Sequence, residues 1–180
     1  MTNTPHPTTS QLVDQFSNEP DYSDPSTDDF EALARDTVPT RSLSAEDLEA
    51  VVKIDQHVTG KNRSSYYERK FDEALLESGI RVSLVAELDG QVIGFVMARV
   101  DYGAFGLTAK SAVIDTIGVD PAYNDRGVGR ALVSQLLTNL SSLRVEAVRT
   151  EVDWNSFKLL QFLERCGFTP AQELSFSKSL

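Results

Sequence analysis

The sequence is poor in the residues that build disulfide frameworks and metal centres. It has one cysteine, Cys166, and two histidines among its 180 residues. A single cysteine excludes an internal disulfide and is typical of a reducing compartment, so we expect a cytoplasmic protein. One cysteine and two histidines also supply no zinc-type ligand set, and we expect no bound metal. Cys166 has no histidine near it in the sequence, which favours a packing role over a nucleophilic one.

Long apolar runs and an excess of positive charge are also missing. No segment approaches the ~18 apolar residues that a membrane span requires. The first residues, Met-Thr-Asn-Thr-Pro-His-Pro, have neither the basic start nor the apolar centre of a secretory signal. With 17 basic and 27 acidic residues, the formal net charge is −10, and no basic stripe is present. We therefore expect neither a membrane nor a nucleic acid as partner.

Residues 1–36 contain few large apolar side chains and are rich in Thr, Ser, Pro, Asp and Asn. The first 35 residues hold seven acids and one arginine, which is six of the ten net negative charges. Such a segment buries too little surface to offset the entropy of ordering. We predict a disordered acidic tail at 1–36 and one folded domain at 37–180. The alternative for the tail is docking on a neighbouring subunit, and a homodimer is one oligomeric state that the sequence leaves open.

The hydrophobic pattern after the tail alternates between strand and helix signals in the order βααβββαβαβ. Ser44 and Asp47 resemble a capping box, Gly60 ends a helix or the turn after it, and Asp89-Gly90 is a hairpin signal. The predicted strands and helices cover, in chain order, 38–43, 48–60, 63–77, 81–88, 91–100, 112–119, 129–140, 145–152, 154–165 and 173–179.

One segment, Val113–Leu132, combines an apolar strand, a break at Pro121 and a turn that carries Gly127 and Gly129 before a helix. The start of a helix has backbone N–H groups without intrahelical partners, and its dipole favours anions. Glycines would let a phosphate approach those amides closely. The alternative is an ordinary strand-to-helix turn. The sequence has no G-x-x-x-x-G-K-[ST] P-loop, and the G-x-G-x-x-G motif does not fit because Leu132 stands at its third glycine position.

The same segment resembles motif A of the GNAT superfamily of N-acetyltransferases. In that motif, a strand ending in V-x-P-x-[YF] precedes [QR]-x-x-G-x-[GA]. Here the matching residues are Val119-Asp-Pro121-Ala-Tyr123 and then Asn124-Asp-Arg-Gly127-Val-Gly129, with Asn124 replacing the usual Gln or Arg.

A second resemblance lies downstream, where many members carry N-x-x-A-x-x-h-Y-x-x-x-G-F. Asn155 and Gly167-Phe168 match this pattern, whereas Lys158 replaces the alanine and Phe162 replaces the tyrosine. That tyrosine is the family's common general acid, so its replacement raises the question of how this chain would protonate a leaving thiolate.

The resemblance implies an α/β (α+β) GNAT fold. Its mixed, mostly antiparallel central sheet has about six to seven strands, is flanked by about four helices and splays between strands four and five. It also implies an acyltransferase that moves an acetyl group from acetyl-CoA to a primary amine by direct attack in a ternary complex. The amine would belong to a small molecule or to a protein lysine or N-terminus. The alternative is a non-catalytic acyl-CoA-binding or sensing module, which Phe162 suggests.

By the same resemblance, the pantetheine arm would lie along the motif strand and the pyrophosphate on the turn after it. The expected CoA-binding residues are Ile117, Gly118, Val119, Asn124, Asp125, Arg126, Gly127, Val128, Gly129, Arg130, Asn155 and Phe162.

The candidate general bases are Glu151 and Asp115, since an ammonium must lose a proton before it attacks a thioester. Tyr66, Tyr67, Tyr102, Tyr123 or water would replace the missing acid. The polar loop after the first helix suits an acceptor, with Asp55 for an ammonium and Arg63 for a carboxylate or phosphate. The expected acceptor-binding residues are Asp55, Arg63, Tyr66, Tyr102 and Asp153. Trp154 would be either a core anchor or a wall of the acceptor pocket.

Overall fold

The computed structural model describes residues 38–77, 80, 82–101, 110–171 and 178. These residues form five strands and four helices in the order that the sequence predicts. The elements are β1 Thr40–Ser42, α1 Leu48–Thr59, α2 Ser64–Asp72, β2 Leu84–Leu88, β3 Gln91–Asp101, β4 Ser111–Val119, α3 Val128–Ser142, β5 Ala147–Thr150 and α4 Phe157–Arg165.

Three expectations fall outside the described residues. These are the acidic tail, residue 102 with the loop that follows it and, apart from residue 178, the terminal strand at 173–179. The described part therefore carries five strands, and the expected number of six to seven is not confirmed.

The strands form one open sheet in the order β1-β2-β3-β4-β5. The first four strands pair antiparallel, whereas β4 and β5 pair in parallel. The hairpin between β2 and β3 turns at Asp89 and Gly90, which both have positive φ, at 51° and 76°. This is the backbone that an Asp-Gly turn favours.

Each face of the sheet buries its own apolar cluster. Helix α3 covers one face through its apolar stripe, in which Leu132, Leu136 and Leu140 are buried against the sheet. Helices α1 and α2 cover the other face, where Tyr67 and Phe71 pack with Phe95. Burial of these side chains supplies the main stabilisation of the fold.

A β-bulge in β4 places two consecutive polar side chains on the α2 side of the sheet. Met97 pairs with Thr116 and Ala98 pairs with Ile114, so Asp115 is an extra residue between them. Asp115 contacts Lys70 and Thr116 contacts Tyr67, and both of these partners lie on α2. Because a bulge interrupts strand alternation, it brings both side chains to one face.

Local signals set the helix ends. The Ser44 N–H donates to Asp47 Oδ2 at 2.8 Å, as the capping box predicts. Gly60 ends α1 with φ of 70°, and its N–H donates to the Gln56 carbonyl at 2.8 Å. Helix α4 begins later than predicted, at Phe157, because the Ser156 N–H instead closes a turn onto the Asp153 carbonyl at 2.9 Å.

Candidate active site

Strands β4 and β5 separate halfway along β4. Their pairing ends at Ile114 and Thr150, where the Thr150 hydroxyl donates to the Ile114 carbonyl at 3.0 Å. On its other side β4 remains paired with β3 as far as Val119. Within the described chain, the outer backbone edge of residues 116–119 therefore faces no strand. It is a free edge that an extended ligand can join by backbone hydrogen bonds.

This edge leads directly to the N-terminus of α3. Gly127 is the N-cap, with φ of 76°, and the first turn contains no acidic residue. The Ala131 N–H closes that turn by donating to the Gly127 carbonyl at 2.9 Å. The three helical amides before it, at 128–130, consequently have no intrahelical acceptor. Their N–H groups and the helix dipole favour an anion at this point.

Two glycines here lie where an added side chain would be crowded, and neither has a positive φ. A Cβ at Gly118 would lie 2.7 Å from Cε1 of Phe95. A Cβ at Gly129 would lie 3.2 Å from both Cε2 and Cζ of Phe162. The Phe95 ring of the paired strand β3 therefore lies against Gly118, and α4 packs closely against the start of α3.

The structure brings together most of the expected pyrophosphate residues. The guanidinium carbon of Arg126 lies 5.3 Å from the centroid of the Tyr123 ring, which is consistent with a packing role for that tyrosine. Arg130 Nη2 donates to the Arg165 carbonyl at 3.3 Å, which ties α3 to the end of α4. Asn124 and Asp125 are exposed in the turn, whereas Val128 is buried beneath it.

The two candidate bases have different surroundings. Asp115 contacts the Arg99 guanidinium and lies 3.5 Å from Lys70 Nζ. Each of its two carboxylate oxygens therefore already faces a cation. Glu151 is exposed just beyond the end of β5 and forms no ion pair within the described part of the chain. Asp153 is also exposed, two residues further on.

Asp55 differs from the expectation that it binds an ammonium, because it is only 4% exposed and has partners inside the fold. Arg63 Nε donates to Asp55 Oδ2 at 2.9 Å, and Arg63 Nη2 contacts Oδ1. The Tyr67 hydroxyl donates to Asp55 Oδ1 at 2.9 Å. Asp55 therefore orients Arg63 and does not present a carboxylate at the surface.

Arg63 and Tyr66 keep accessible surface beside this buried carboxylate. The Arg63 side chain is 39% exposed, and its guanidinium carbon lies 5.4 Å from the Tyr66 ring centroid. Hydrogen bonds and charge from Asp55 raise the pKa of Arg63 above its ordinary value, so the guanidinium stays charged. The pair forms a cationic and aromatic surface at the loop between α1 and α2.

Tyr67 and Thr116 were not among the residues expected to bind either substrate. The Tyr67 hydroxyl lies 3.2 Å from Thr116 Oγ1, and the tyrosine is fully buried. Burial raises the pKa of Tyr67 well above its ordinary value; the hydrogen bond to Asp55 adds to this effect, and the one with Thr116 offsets part of it. Tyr67 is thus poorly suited to act as a general acid. The sequence could have indicated a hydrogen bond here, because Tyr67 lies on the apolar face of α2 and a buried hydroxyl needs a hydrogen-bond partner.

The β5–α4 connection exposes two aromatic side chains. Trp154 is 85% exposed, so it is not a core anchor, and Phe157 is 74% exposed. Asn155 lies between them and is exposed, whereas Phe162 is half-buried against Gly129. Among the residues that the structure describes, no helix has the length and apolar character to cross a bilayer.

Comparison with known proteins identifies the family. The sequence profile of the Acetyltransferase (GNAT) family matches residues 48–168, which include both sequence motifs and the free edge of β4. An N-alpha-acetyltransferase of Sulfurisphaera tokodaii is 26% identical over 140 residues, which is 74% of this chain and 81% of the relative.

Solved structures show the same fold. The aminoglycoside N-acetyltransferase AAC(6')-Iy in complex with CoA superposes with a TM-score of 0.66 at 17% identity, over 79% of this chain and 94% of that one. Ard1 from Thermoplasma volcanium superposes with a TM-score of 0.61 at 24% identity, over 74% of this chain and 83% of that one. The profile match covers most of the described residues, and the chain therefore belongs to the GNAT acetyltransferase family and is an acyltransferase.

Proposed function

We propose that this protein is an N-acetyltransferase that moves an acetyl group from acetyl-CoA to a primary amine by direct attack in a ternary complex. The observation that carries the proposal is the free edge of β4 at 116–119, which leads to the uncapped N-terminus of α3. An edge of backbone groups followed by an anion site suits a ligand with an amide-containing arm and a pyrophosphate.

The chain would hold acetyl-CoA mainly through its backbone. Residues 116–119 would pair with the amides of the pantetheine arm as an added strand does. The amides at 128–130 would hold the pyrophosphate, with charge-assisted contacts from Arg126 and Arg130. A backbone N–H near Val119 would donate to the acetyl carbonyl and stabilise the negative charge that develops on its oxygen.

Glu151 is the general base that we favour. An alkyl ammonium has a pKa of about 10.4, so it must lose a proton before it attacks the thioester. Glu151 is exposed at the end of β5, where the two strands have separated, and it can accept that proton directly or through water. Asp115 is less suited to this role, because Arg99 and Lys70 already neutralise it.

The departing thiolate would take its proton from water rather than from α4. Phe162 has no proton to give, and Tyr67 is buried and donates to Asp55. A thiol has a pKa near ~8.5, so the thiolate is a fair leaving group without an acid. The absence of an acid on α4 would slow turnover rather than abolish it.

We propose the α-amino group of a polypeptide as the acceptor class. The relatives named N-alpha-acetyltransferase support this choice, and so does the surface formed by Arg63 and Tyr66. A peptide N-terminus carries a backbone carbonyl close to the amine. A guanidinium that Asp55 holds in place and that stays partly exposed could donate to that carbonyl, while Asp153 and Tyr66 would contact the first side chain.

The experiment that tests the proposal measures thiol release from acetyl-CoA with peptides of varied first residue, free amino acids and polyamines. The expected result is release that depends on a peptide with a free N-terminus and that is lost when the same N-terminus is already acetylated. Release with lysine side chains or small amines alone would contradict the acceptor class. No release with any amine would contradict the function.

A further inference from the structure

We propose that Tyr67 is a positioning residue that couples the acceptor loop to the donor strand. The acceptor loop is residues 60–63, which end at Arg63, and the donor strand is residues 116–119 of β4. The inference rests on the proposed function, since it assigns a role within the same two-substrate site.

The Tyr67 hydroxyl is the point at which the two segments meet. On one side it donates to Asp55 Oδ1 at 2.9 Å, and the same carboxylate holds Arg63 at the end of the acceptor loop. On the other side it lies 3.2 Å from Thr116 Oγ1, at the first residue of the donor strand. One hydroxyl therefore connects the loop that faces the acceptor with the strand that faces the thioester.

The link is short, and its centre is buried. Tyr67 is inaccessible to solvent, and Asp55 is nearly so. The buried Tyr67 hydroxyl cannot exchange partners with water, so moving either Asp55 or Thr116 away from it leaves a hydrogen bond of that hydroxyl unsatisfied. An acceptor that displaces Arg63 on binding would therefore also shift Thr116. Binding of acetyl-CoA along the donor strand would likewise shift Arg63.

The ring of Tyr67 is held independently of its hydroxyl. It makes edge-on contacts with Tyr66, at a centroid distance of 5.1 Å, and with Phe95, at 5.7 Å. Tyr67→Phe keeps both ring contacts and removes only the hydroxyl. The Arg63 guanidinium still bonds to Asp55 in that variant, so the buried carboxylate keeps a charged partner.

The position of Thr116 depends on the bulge at Asp115. Because Asp115 is the extra residue, Thr116 faces α2 while its neighbour Ile117 packs toward α3. The backbone of Ile117 belongs to the edge that would hold pantetheine. Fixing the Thr116 side chain therefore fixes the backbone immediately beside the reacting group.

The test compares Tyr67→Phe, Thr116→Val and their double variant with the unsubstituted protein. Thr138→Val is the control, because it also removes a hydroxyl, one that donates to the Ser134 carbonyl within α3 and away from both segments. Calorimetric titration gives the affinity for acetyl-CoA, and hydrogen exchange with and without acetyl-CoA reports on amides at 60–67. Steady-state kinetics give separate KM values for acetyl-CoA and for an acceptor peptide.

Positioning predicts that acetyl-CoA slows exchange in the acceptor loop of the unsubstituted protein and of Thr138→Val. This protection should fall in both single variants while acetyl-CoA still binds. Acceptor KM should rise roughly threefold to tenfold, the range that one hydrogen bond spans. The double variant should be no worse than either single variant, because both remove the same link.

Three results would overturn the inference. A merely structural role predicts a lower Tm with unchanged loop protection and an unchanged ratio of the two KM values. Additive effects in the double variant would show that the two hydroxyls act separately. Absence of acetyl-CoA binding to the unsubstituted protein would overturn the proposed function and this inference with it, and the titration identifies that case on its own.

Discussion

The ring of Phe162 lies against the backbone of Gly129, so closely that a Cβ at Gly129 would be 3.2 Å from two ring carbons. The contact joins α4 to the first turn of α3, where the pyrophosphate would bind. A second tie, from Arg130 to the Arg165 carbonyl, lies nearby. A phenylalanine at this position supplies packing where the family's usual tyrosine would supply a proton, and it makes the anion site sensitive to the size of residue 129.

We expect Gly129→Ala to weaken acetyl-CoA binding and to destabilise the fold by about 1–3 kcal/mol, the usual cost of overpacking. The added methyl group must displace either the Phe162 ring or the first turn of α3. Gly129→Ala/Phe162→Leu should recover part of the loss, since leucine leaves room for the methyl group. Calorimetric titration and urea unfolding measure both quantities. The steric explanation would be contradicted if the losses in the double variant equalled the sum of the losses in Gly129→Ala and Phe162→Leu measured separately.

We expect Glu151→Gln to lower kcat/KM by about 10²–10⁴, the range for loss of a general base, with little change in acetyl-CoA affinity. Asp115→Asn removes an ion-paired carboxylate on the α2 side of the sheet and should lower the Tm while changing kcat/KM only a few-fold. Asp153→Asn controls for loss of an exposed acid near Glu151 and should act on acceptor KM. Loss of turnover in Asp115→Asn but not in Glu151→Gln would instead assign the general base to Asp115.

Tyr67 should make the protein sensitive to alkali. Burial and the bond to Asp55 hold its pKa above the ordinary value of 10.0, so the folded state keeps a proton that the unfolded state loses. Its contribution to stability is complete below pH 10 and is lost as the pH rises further, because the unfolded state then binds fewer protons. Urea unfolding between pH 8 and about pH 11.5 should show a shallower decline for Tyr67→Phe. Equal slopes would refute the assignment.

Asp47 should contribute stability that acid removes. Burial alone would raise its pKa, but hydrogen bonds from Arg41 and Ser44 outweigh burial and hold the pKa below the ordinary value of 3.8. Both Arg41 Nη atoms donate to Asp47 at 2.8 Å. The contribution is present above the unfolded-state pKa and is lost as the pH falls through the lower folded-state value.

Asp47→Asn should therefore lose about 1–3 kcal/mol of unfolding free energy at neutral pH, the value of hydrogen bonds to a charged group. The difference from the unsubstituted protein should shrink as the pH falls below the ordinary pKa of the aspartate. Glu46→Gln is the matched control, because Glu46 is an exposed neighbouring carboxylate. Urea unfolding at several pH values measures the effect. A loss that does not depend on pH would point to packing instead of charge.

Local signals allowed the order of the described elements and the turn before α3 to be predicted from the sequence. Asp89-Gly90, the Ser44–Asp47 capping box and Gly60 each act over a few residues, and the structure places all three as expected. The turn with Gly127 is also local, because positive φ and a helix start follow from adjacent residues. The resemblance to motif A then indicates acetyl-CoA as the expected ligand of this turn.

Contacts between distant segments account for what the sequence did not reveal. Asp55 was expected to bind an ammonium, but its partners in the structure come eight and twelve residues later, after a loop whose path the pattern does not define. The bulge at Asp115 depends on how β4 pairs with β3, so simple alternation would have placed its side chain on the wrong face. Whether Trp154 lies in the core or at the surface also depends on contacts between distant segments. The structure shows that it is exposed.

The most direct test of the account is thiol release from acetyl-CoA by the full chain with one peptide in two forms, with its N-terminus free and with it acetylated. The account predicts release with the free form, none above background with the blocked form, and mass addition of one acetyl group at the α-amine. Equal rates with both forms, or no release with any amine while acetyl-CoA binds, would contradict it.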